Sequence, residues 1–456
     1  MKIFSEFKPV SAKEWEEKIL KDLKIESISE LLWKTDEQLT IKPFYTIEDL
    51  NENPLPTLFN HTNWEIVQFL PTSHHSDEEL NEHLLKSLNG GSSGINMTFF
   101  KNHNFTEIFN NISLPHIYSN LNISFDALDL LEKYKEVYFS INPTTQQKLC
   151  FINLDPIYLF EYFGEWHYSS HQDDFKILNQ FNHIPVNATL YKESGANITQ
   201  ELAYTLSHLN EYLFYLEQNN SLKQYKHIHI QVSIGHSFFS EISKLRSLGI
   251  LVQHLLKEYN HSASIHIHAQ TTLINKSYLD IYNNLIRTTT EAISAIFGGA
   301  NSISILPYDY PFQKISDFSL RMARNQLLIM KEESFLNKVA DVSVGNYFTE
   351  NYTKELTNAA YQKFLQIEKS NGLVSCLENA SIQNEIALEF EKQLQNYINN
   401  QSILIGVNKY PNPKQEKLSK TFYKHSINNS VSLKPRRFAE YFEEKFEKEH
   451  LQHTLN

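Results

Sequence analysis

The stretch His227-Ile-His-Ile-Gln-Val-Ser-Ile234, followed by residues 238–259 and then by Ser264-Ile-His-Ile-His-Ala269, decides the fold class. Its first and last pieces are short and rich in β-branched residues, bounded by Gly235, Ser237 and Asn260, as strands are. The middle piece is longer and amphipathic with a helical period. Strand, helix and strand in that order describe a unit whose two strands run parallel. Working outward, residues 64–69, 95–100, 137–141 and 302–306 read as further strands. Residues 199–217, 278–296 and 318–333 read as helices. With this many repeats a closed (β/α)8 TIM barrel of the α/β class is expected. A helix over 350–400 then leads to Leu404-Ile-Gly-Val-Asn408 and the turn-rich Pro411-Asn-Pro413. The expected organisation is an arm over 1–55, the barrel over 56–410, and a charged tail over 411–456 with one amphipathic patch at 437–446.

Composition narrows the function. The chain has 456 residues, 41% hydrophobic and 21% charged, with 41 Lys+Arg against 53 Asp+Glu and a formal charge of −12. This is enough apolar material for a large core, which excludes wholesale disorder. The acidic balance argues against general binding to a phosphate backbone. Cys150 and Cys376 are the only cysteines, so neither a disulfide framework nor a multi-Cys zinc site is available. The start, MKIFSEFKPV, has no apolar signal core, and no run reaches the length of a membrane span. A cytoplasmic location is expected.

Glycine numbers only 12, where average usage of about 7% would give roughly thirty. No GxGxxG or GxxxxGK[ST] loop occurs. The first arginine is Arg246, followed by Arg287, Arg321, Arg324, Arg436 and Arg437. The amino-terminal half therefore has no planar fork for a carboxylate or phosphate.

In the arm, Ser11-Ala-Lys-Glu14 is a capping signature ahead of Trp15, Ile19, Leu20 and Leu23 at helical spacing. Leu32, Trp33, Ile41, Phe44 and Tyr45 follow. So many apolar residues in a short arm must pack on the body of this chain or on another subunit.

Two HxH pairs, His227/His229 and His266/His268, each put two imidazoles on one strand face and invite a metal. Further ligands would have to come from elsewhere, and neither Asp280 nor Asp309 sits at a recognisable ligand spacing. With 20 histidines in the chain such pairs arise by chance, so no metal ligand is assigned. A metal-dependent barrel hydrolase is nevertheless the reading from another functional class. No Gly-x-Ser-x-Gly elbow is present. His74-His75 and Lys434-Pro-Arg-Arg437 read as solvated turns.

Several longer stretches carry a family resemblance. Trp15-x-x-Lys18-Ile19-x-x-Asp22-Leu23-Lys24 and Ile41-Lys-Pro43-Phe44-Tyr45 resemble the amino-terminal arm of the methylmalonyl-CoA mutase family, in particular of its small (beta) subunit. Its barrel is matched by Glu201-Leu-Ala-Tyr-Thr205, Asn210-Glu211-Tyr212 and Gly235-x-x-Phe238-Phe239-x-Glu241-Ile-x-Lys244-x-Arg246. Further matches are Tyr282-Asn-Asn284 with Arg287-Thr288, Arg321-Met-Ala-Arg324-Asn325 with Glu332-Glu-Ser334, and Leu404-Ile-Gly-Val-Asn-Lys-Tyr410. Together they cover nearly the whole chain in order.

The resemblance implies an acyl-CoA-binding barrel, and the departures from it carry the functional expectation. Catalytic members add a cobalamin domain with Asp-x-His-x-x-Gly, and no such motif occurs in these 456 residues. Where they read Trp-x-Ile-Arg-Gln-Tyr, this chain reads Trp64-Glu-Ile-Val-Gln-Phe69, without the Tyr hydroxyl and the adjacent Arg. Their Tyr-His-x-x-Glu-x-Gly-Ala is Thr189-Leu-Tyr-Lys-Glu193-Ser-Gly195-Ala196, so Leu190 replaces a His that assists the thioester carbonyl. His266 replaces a substrate-contacting Arg, and Ser302-Ile-Ser-Ile-Leu306 replaces Ser-Leu-His-Thr-Asn.

The resemblance thus implies a non-catalytic small subunit with no catalytic, cofactor-binding or metal residues of its own. Adenosylcobalamin is expected on a catalytic alpha subunit, joined in a heterodimer by the arm. The alternative is an acyl-CoA-binding barrel active with a separately encoded cobalamin-domain protein. Phe69, Phe100 and Leu190 are expected to refill the axial channel that a CoA arm would need.

Overall fold

The computed structural model describes residues 8, 10–35, 37–50, 55, 61–139, 149–412, 414–415, 429 and 431–454. Eight parallel strands form the wall of a (β/α)8 barrel: β1 Glu65–Phe69, β2 Gly94–Phe99, β3 Tyr118–Ile123, β4 Cys150–Asn153, β5 His183–Asn187, β6 His227–Ile234, β7 Ser264–Thr271 and β8 Ser302–Ile305. They follow chain order around the barrel, and β8 closes on β1 with Ile303 beside Ile66. The backbone ladder is open only between β4 and β5. Side chains span that seam: His183 Nε2 lies 3.0 Å from Asn153 Oδ1, and the His183 ring meets Phe151 edge-on.

The principal barrel helices are α1 Asp77–Asn89, α2 Leu128–Phe139, α3 Pro156–Phe163, α4 Thr189–Ser194, α5 Ile198–Gln218, α6 Phe238–Glu258, α7 Asn283–Phe297 and α8 Asp317–Leu328. The main hydrophobic core lies between strands and helices, where Ile184, Ile228, Ile230 and Ile267 pack against Leu209, Leu213, Leu248 and Val252. Such a double-faced wall lets a strand carry polar residues on its inner face provided they find partners.

That is why three strands are not legible from hydropathy. Tyr118-Ser-Asn-Leu-Asn-Ile123 is buried at all six positions although half of it is polar. His183-Ile-Pro-Val-Asn187 is likewise buried throughout with polar residues at both ends, and the four-residue Cys150-Phe-Ile-Asn153 is buried from Phe151 to Asn153. The strand expected over 137–141 is not formed at its described residues. Val137 and its two successors end helix α2, because Leu130, Leu131 and Tyr134 bury one face at helical spacing. Residues 140–141 lie outside the described residues. The helix expected over 350–400 is three helices, α9 Tyr347–Lys369, α10 Gly372–Glu378 and α11 Ser381–Ile398. Asn371 and Ala380 take left-handed backbone at φ 71° and 62° and break the run.

Residues 433–438 strap helices α3 and α4 and the loop after β7 together by backbone bonds: Leu433 N–H to Glu161 O, Arg436 N–H to Glu193 O and Phe438 N–H to Ile274 O. Phe438 stacks on Phe390 and Tyr397. Arg437 is paired with Glu443 on the final helix, α12 Glu440–Thr454. Among the described residues no helix is long and apolar enough to cross a membrane.

At the start of β2 a Cβ on Gly94 would lie 2.6 Å from the Tyr118 carbonyl oxygen and 2.8 Å from its Cβ. Gly94→Ala is expected to destabilise the fold by about 1–3 kcal/mol, the usual cost of overpacking, measured as a lowered urea midpoint at unchanged m-value.

Candidate functional site

In a (β/α)8 barrel the natural site is the axis and its carboxyl-end mouth. Here the axis is occupied in layers. Nearest the amino ends of the strands, Tyr118, Phe151, His229 and His266 stack around Val67. The Tyr118 hydroxyl reaches across the barrel to His229 Nε2 at 3.0 Å. His266 Nε2 is 3.1 Å from Ser302 Oγ.

The next layer is made of amides. Asn120 Nδ2 donates to Gln231 Oε1 at 2.9 Å and to Asn96 Oδ1 at 3.1 Å. Asn96 Nδ2 in turn donates to Gln270 Oε1 and Ser304 Oγ, and Asn153 Nδ2 donates to Asn120 Oδ1 at 2.8 Å. Gln231 Nε2 donates to Asn122 Oδ1 at 2.5 Å. These bonds join β2, β3 and β4 to β6, β7 and β8 across the axis. Strand alternation aims every second side chain inward, and each amide meets another amide or a hydroxyl.

The mouth is narrow. Phe69 packs edge-on against Tyr310, and Phe100 stacks on Tyr162 at 4.6 Å between centroids. One cavity there has a volume of ≈ 10 Å³, between Thr98, Phe100, Asn122, Asn153, Asp155 and Asn187. That is about the room of one water molecule. It does not fit a pantetheine arm or a corrin. Below it, Asp155 Oδ1 accepts from the Tyr212 hydroxyl at 2.5 Å and lies 3.0 Å from His208 Nε2; its Oδ2 accepts from the Asn187 N–H at 2.6 Å. Burial raises the nearby Glu161 carboxyl well above the usual carboxylate range.

The residues singled out from the sequence are therefore dispersed. Phe69 and Phe100 stand at the mouth, Leu190 is buried on α4 in the main core, and His266 lies near the floor. The axis is filled mostly by Asn, Gln, His and Tyr, with Phe69 and Phe100 only at its mouth and Leu190 packed instead in the main core. Hydrogen-bonded amides can bridge a wide barrel whose wall already buries its strands on the outer side.

The HxH pairs do converge, with His229 and His266 at 5.5 Å between rings. Their nitrogens face hydroxyls: His268 Nδ1 and Nε2 lie 2.8 and 3.0 Å from Ser302 and Ser304 Oγ, and His227 Nδ1 is 2.6 Å from Ser264 Oγ. Among the described residues no set of three or more His, Cys, Asp or Glu is arranged to hold a metal. Asp280 and Asp309 lie in the carboxyl-end loops and take Asn283 and Gln313 as partners. Sequence reasoning does not find Asn96, Asn120, Asn122, Asn153 and Gln231. The period-two spacing of Asn120 and Asn122 is the signal available for them.

The family model for methylmalonyl-CoA mutase matches residues 101–455. The chain belongs to the methylmalonyl-CoA mutase family. It is similar to the methylmalonyl-CoA mutase small subunit of Porphyromonas gingivalis, at 31% identity over 96% of this chain and 76% of that one. It is also similar to the methylmalonyl-CoA mutases of Rhizobium meliloti, at 24% over 87% of this chain, and of Homo sapiens, a mitochondrial protein, at 25% over 88%. The chain spans 64% and 61% of the length of these two mutases.

Burial without a counter-charge pulls His183, His266 and His268 down to about 3 and His229 well below its ordinary value. In this family member the unfolded chain therefore binds more protons than the fold between about pH 3 and the ordinary His value of about 6.5. The stability these imidazoles contribute is present above that ordinary value and is lost as pH falls toward the depressed one. Each adds a slope of up to about 1.4 kcal/mol per pH unit. Urea unfolding from about pH 7.5 to about pH 4.5 is expected to show a shallower pH slope in His183→Gln than in the unaltered protein, by up to that amount.

Proposed function

We propose that this chain is the non-catalytic small subunit of a heterodimeric, adenosylcobalamin-dependent methylmalonyl-CoA mutase. A catalytic alpha subunit would carry out the radical interconversion of succinyl-CoA and methylmalonyl-CoA, and this chain would support its fold and assembly. The observation that supports the reading is the crossed axis: an amide network of Asn96, Asn120 and Gln231 spans the space an acyl-CoA thioester would need.

Side-chain chemistry supports the same reading. Phe69 offers no hydroxyl and Leu190 no proton or dipole at the positions where the family resemblance places assisting groups. Adenosylcobalamin supplies a radical by homolysis of its cobalt–carbon bond, and this chemistry is assigned to the partner.

The arm favours association. Its helix Ala12–Leu23 buries no residue, and Trp15, Trp33 and Ile47 are 51%, 56% and 70% exposed. The arm is nevertheless held in place: Tyr45 meets Phe348 edge-on, and the Tyr352 hydroxyl donates to Glu37 Oε2 at 3.2 Å. A fixed arm that presents large apolar side chains to solvent suits a surface completed by a second chain.

Co-purification with a catalytic mutase chain, then assay with and without this one, tests the proposal. This chain is expected to be inert alone and to form a 1:1 complex with the active subunit. Turnover of succinyl-CoA with only an added cobalamin-domain protein would establish the alternative, an active acyl-CoA barrel. Within the complex, the double change Trp15→Ala/Trp33→Ala is expected to weaken assembly by about tenfold or more. The melting temperature of the isolated chain should stay within a degree or so, since neither residue is buried.

A further inference from the structure

Outside the barrel axis, helices α1 and α8 run side by side on the outer wall and leave a cleft of ≈ 160 Å³. It is lined by His83, Lys86, Ser87, Asp317, Arg321 and Arg324. In a protein of net charge −12 this is a concentration of cations, including two of the chain's few arginines.

The local charges do not cancel. Asp317 is engaged on both oxygens, with Lys86 Nζ at 2.7 Å and His83 Nδ1 at 2.9 Å. Lys86 is also paired with Glu82 at 2.6 Å. Arg324 is nearly buried, yet its guanidinium meets only neutral acceptors: Nε donates to Gly90 O at 3.0 Å and Nη1 to Gln68 Oε1 at 3.1 Å. Arg321, one turn earlier on the same helix, lies 5.6 Å from the Phe318 ring centroid and has no carboxylate partner among the described residues. Burial and the Arg321 charge together lower the Arg324 pKa from its ordinary value. Two guanidiniums thus line one open cleft with no carboxylate partner among the described residues.

We propose that this cleft is an anion site for a phosphate group, taken either as free phosphate or as the terminal phosphate of a nucleotide. The exposed Arg321 fork provides directed donors for a tetrahedral oxyanion, and Arg324, whose Nε and Nη1 are held by Gly90 and Gln68, adds positive charge behind it. Ser87 and His83 add polar edges, and Lys86 adds a point charge. Asp317 is the one lining group that opposes the ligand, and it gives the proposal a direction that mere surface charge would not.

Titration calorimetry of the full chain at constant pH and ionic strength, with inorganic phosphate and separately with ADP, is the test. Saturable 1:1 binding is expected. Arg321→Ala, an exposed side chain whose loss leaves the fold intact, should weaken it by about tenfold or more. Asp317→Asn should tighten it several-fold by removing the repulsion and releasing Lys86, while Lys133→Ala on the distant α2 should change nothing. Tighter binding of ADP than of phosphate assigns the nucleotide source, and equal binding assigns the free anion. No saturation by either probe below about 10 mM, or binding unaffected by Arg321→Ala, overturns the proposal.

Discussion

Everything about this barrel depends on the hydrogen bonds that Asn120 makes across the axis to Gln231 and Asn96. (β/α)8 barrels are commonly filled by branched apolar side chains in layers, whose attraction is non-directional. Amides are different. Each brings donors and acceptors that must all be met once water is excluded, and an unmet one costs about 1–3 kcal/mol. The lumen therefore holds its strands at particular separations, because Asn96, Asn120, Asn122, Asn153 and Gln231 are satisfied only when β2–β4 face β6–β8 at hydrogen-bond distance. The seam between β4 and β5 is secured in the same manner by His183 and Asn153.

Above and below that layer the remaining space is taken by rings. Tyr118, Phe151 and two histidines pack the floor, and Phe69, Phe100, Tyr162 and Tyr310 narrow the mouth. The strap over 433–438 then ties helices α3 and α4 and the loop after β7 to one another through main-chain bonds. Side chains from opposite strands thus meet across the axis of the barrel. Away from the axis, the arm's exposed tryptophans and the cation-lined cleft between α1 and α8 are further surface features.

Several buried charges are met by opposite ones. Lys192 and Lys244 share Glu201 and Glu241, Lys276 meets Glu291, and Arg246 meets Asp341 and Glu350. Paired charges of this kind fix geometry more than they add stability, since desolvation offsets much of the attraction. Arg321 and Arg324 differ, because the carboxylate that lines their cleft, Asp317, is taken up by Lys86 and His83.

The sequence by itself determined the parallel α/β class, the strands with apolar alternation such as His227–Ile234, and the family, because local periodicity and word-like motifs survive without coordinates. It also marked the arm's apolar residues as needing a surface. It could not reveal that Tyr118–Ile123, Cys150–Asn153 and His183–Asn187 are strands, since their inward Asn and His side chains look like loop residues until partners appear. Nor could it show what fills the axis. Phe69, Phe100 and Leu190 have the hydrophobicity for that role, but the occupants are residues from strands far apart in the chain, such as Tyr118 and His229 or Asn120 and Gln231. Whether a polar side chain is an unsatisfied liability or the centre of a core depends on which atom stands within hydrogen-bond reach, and only the closed barrel decides that.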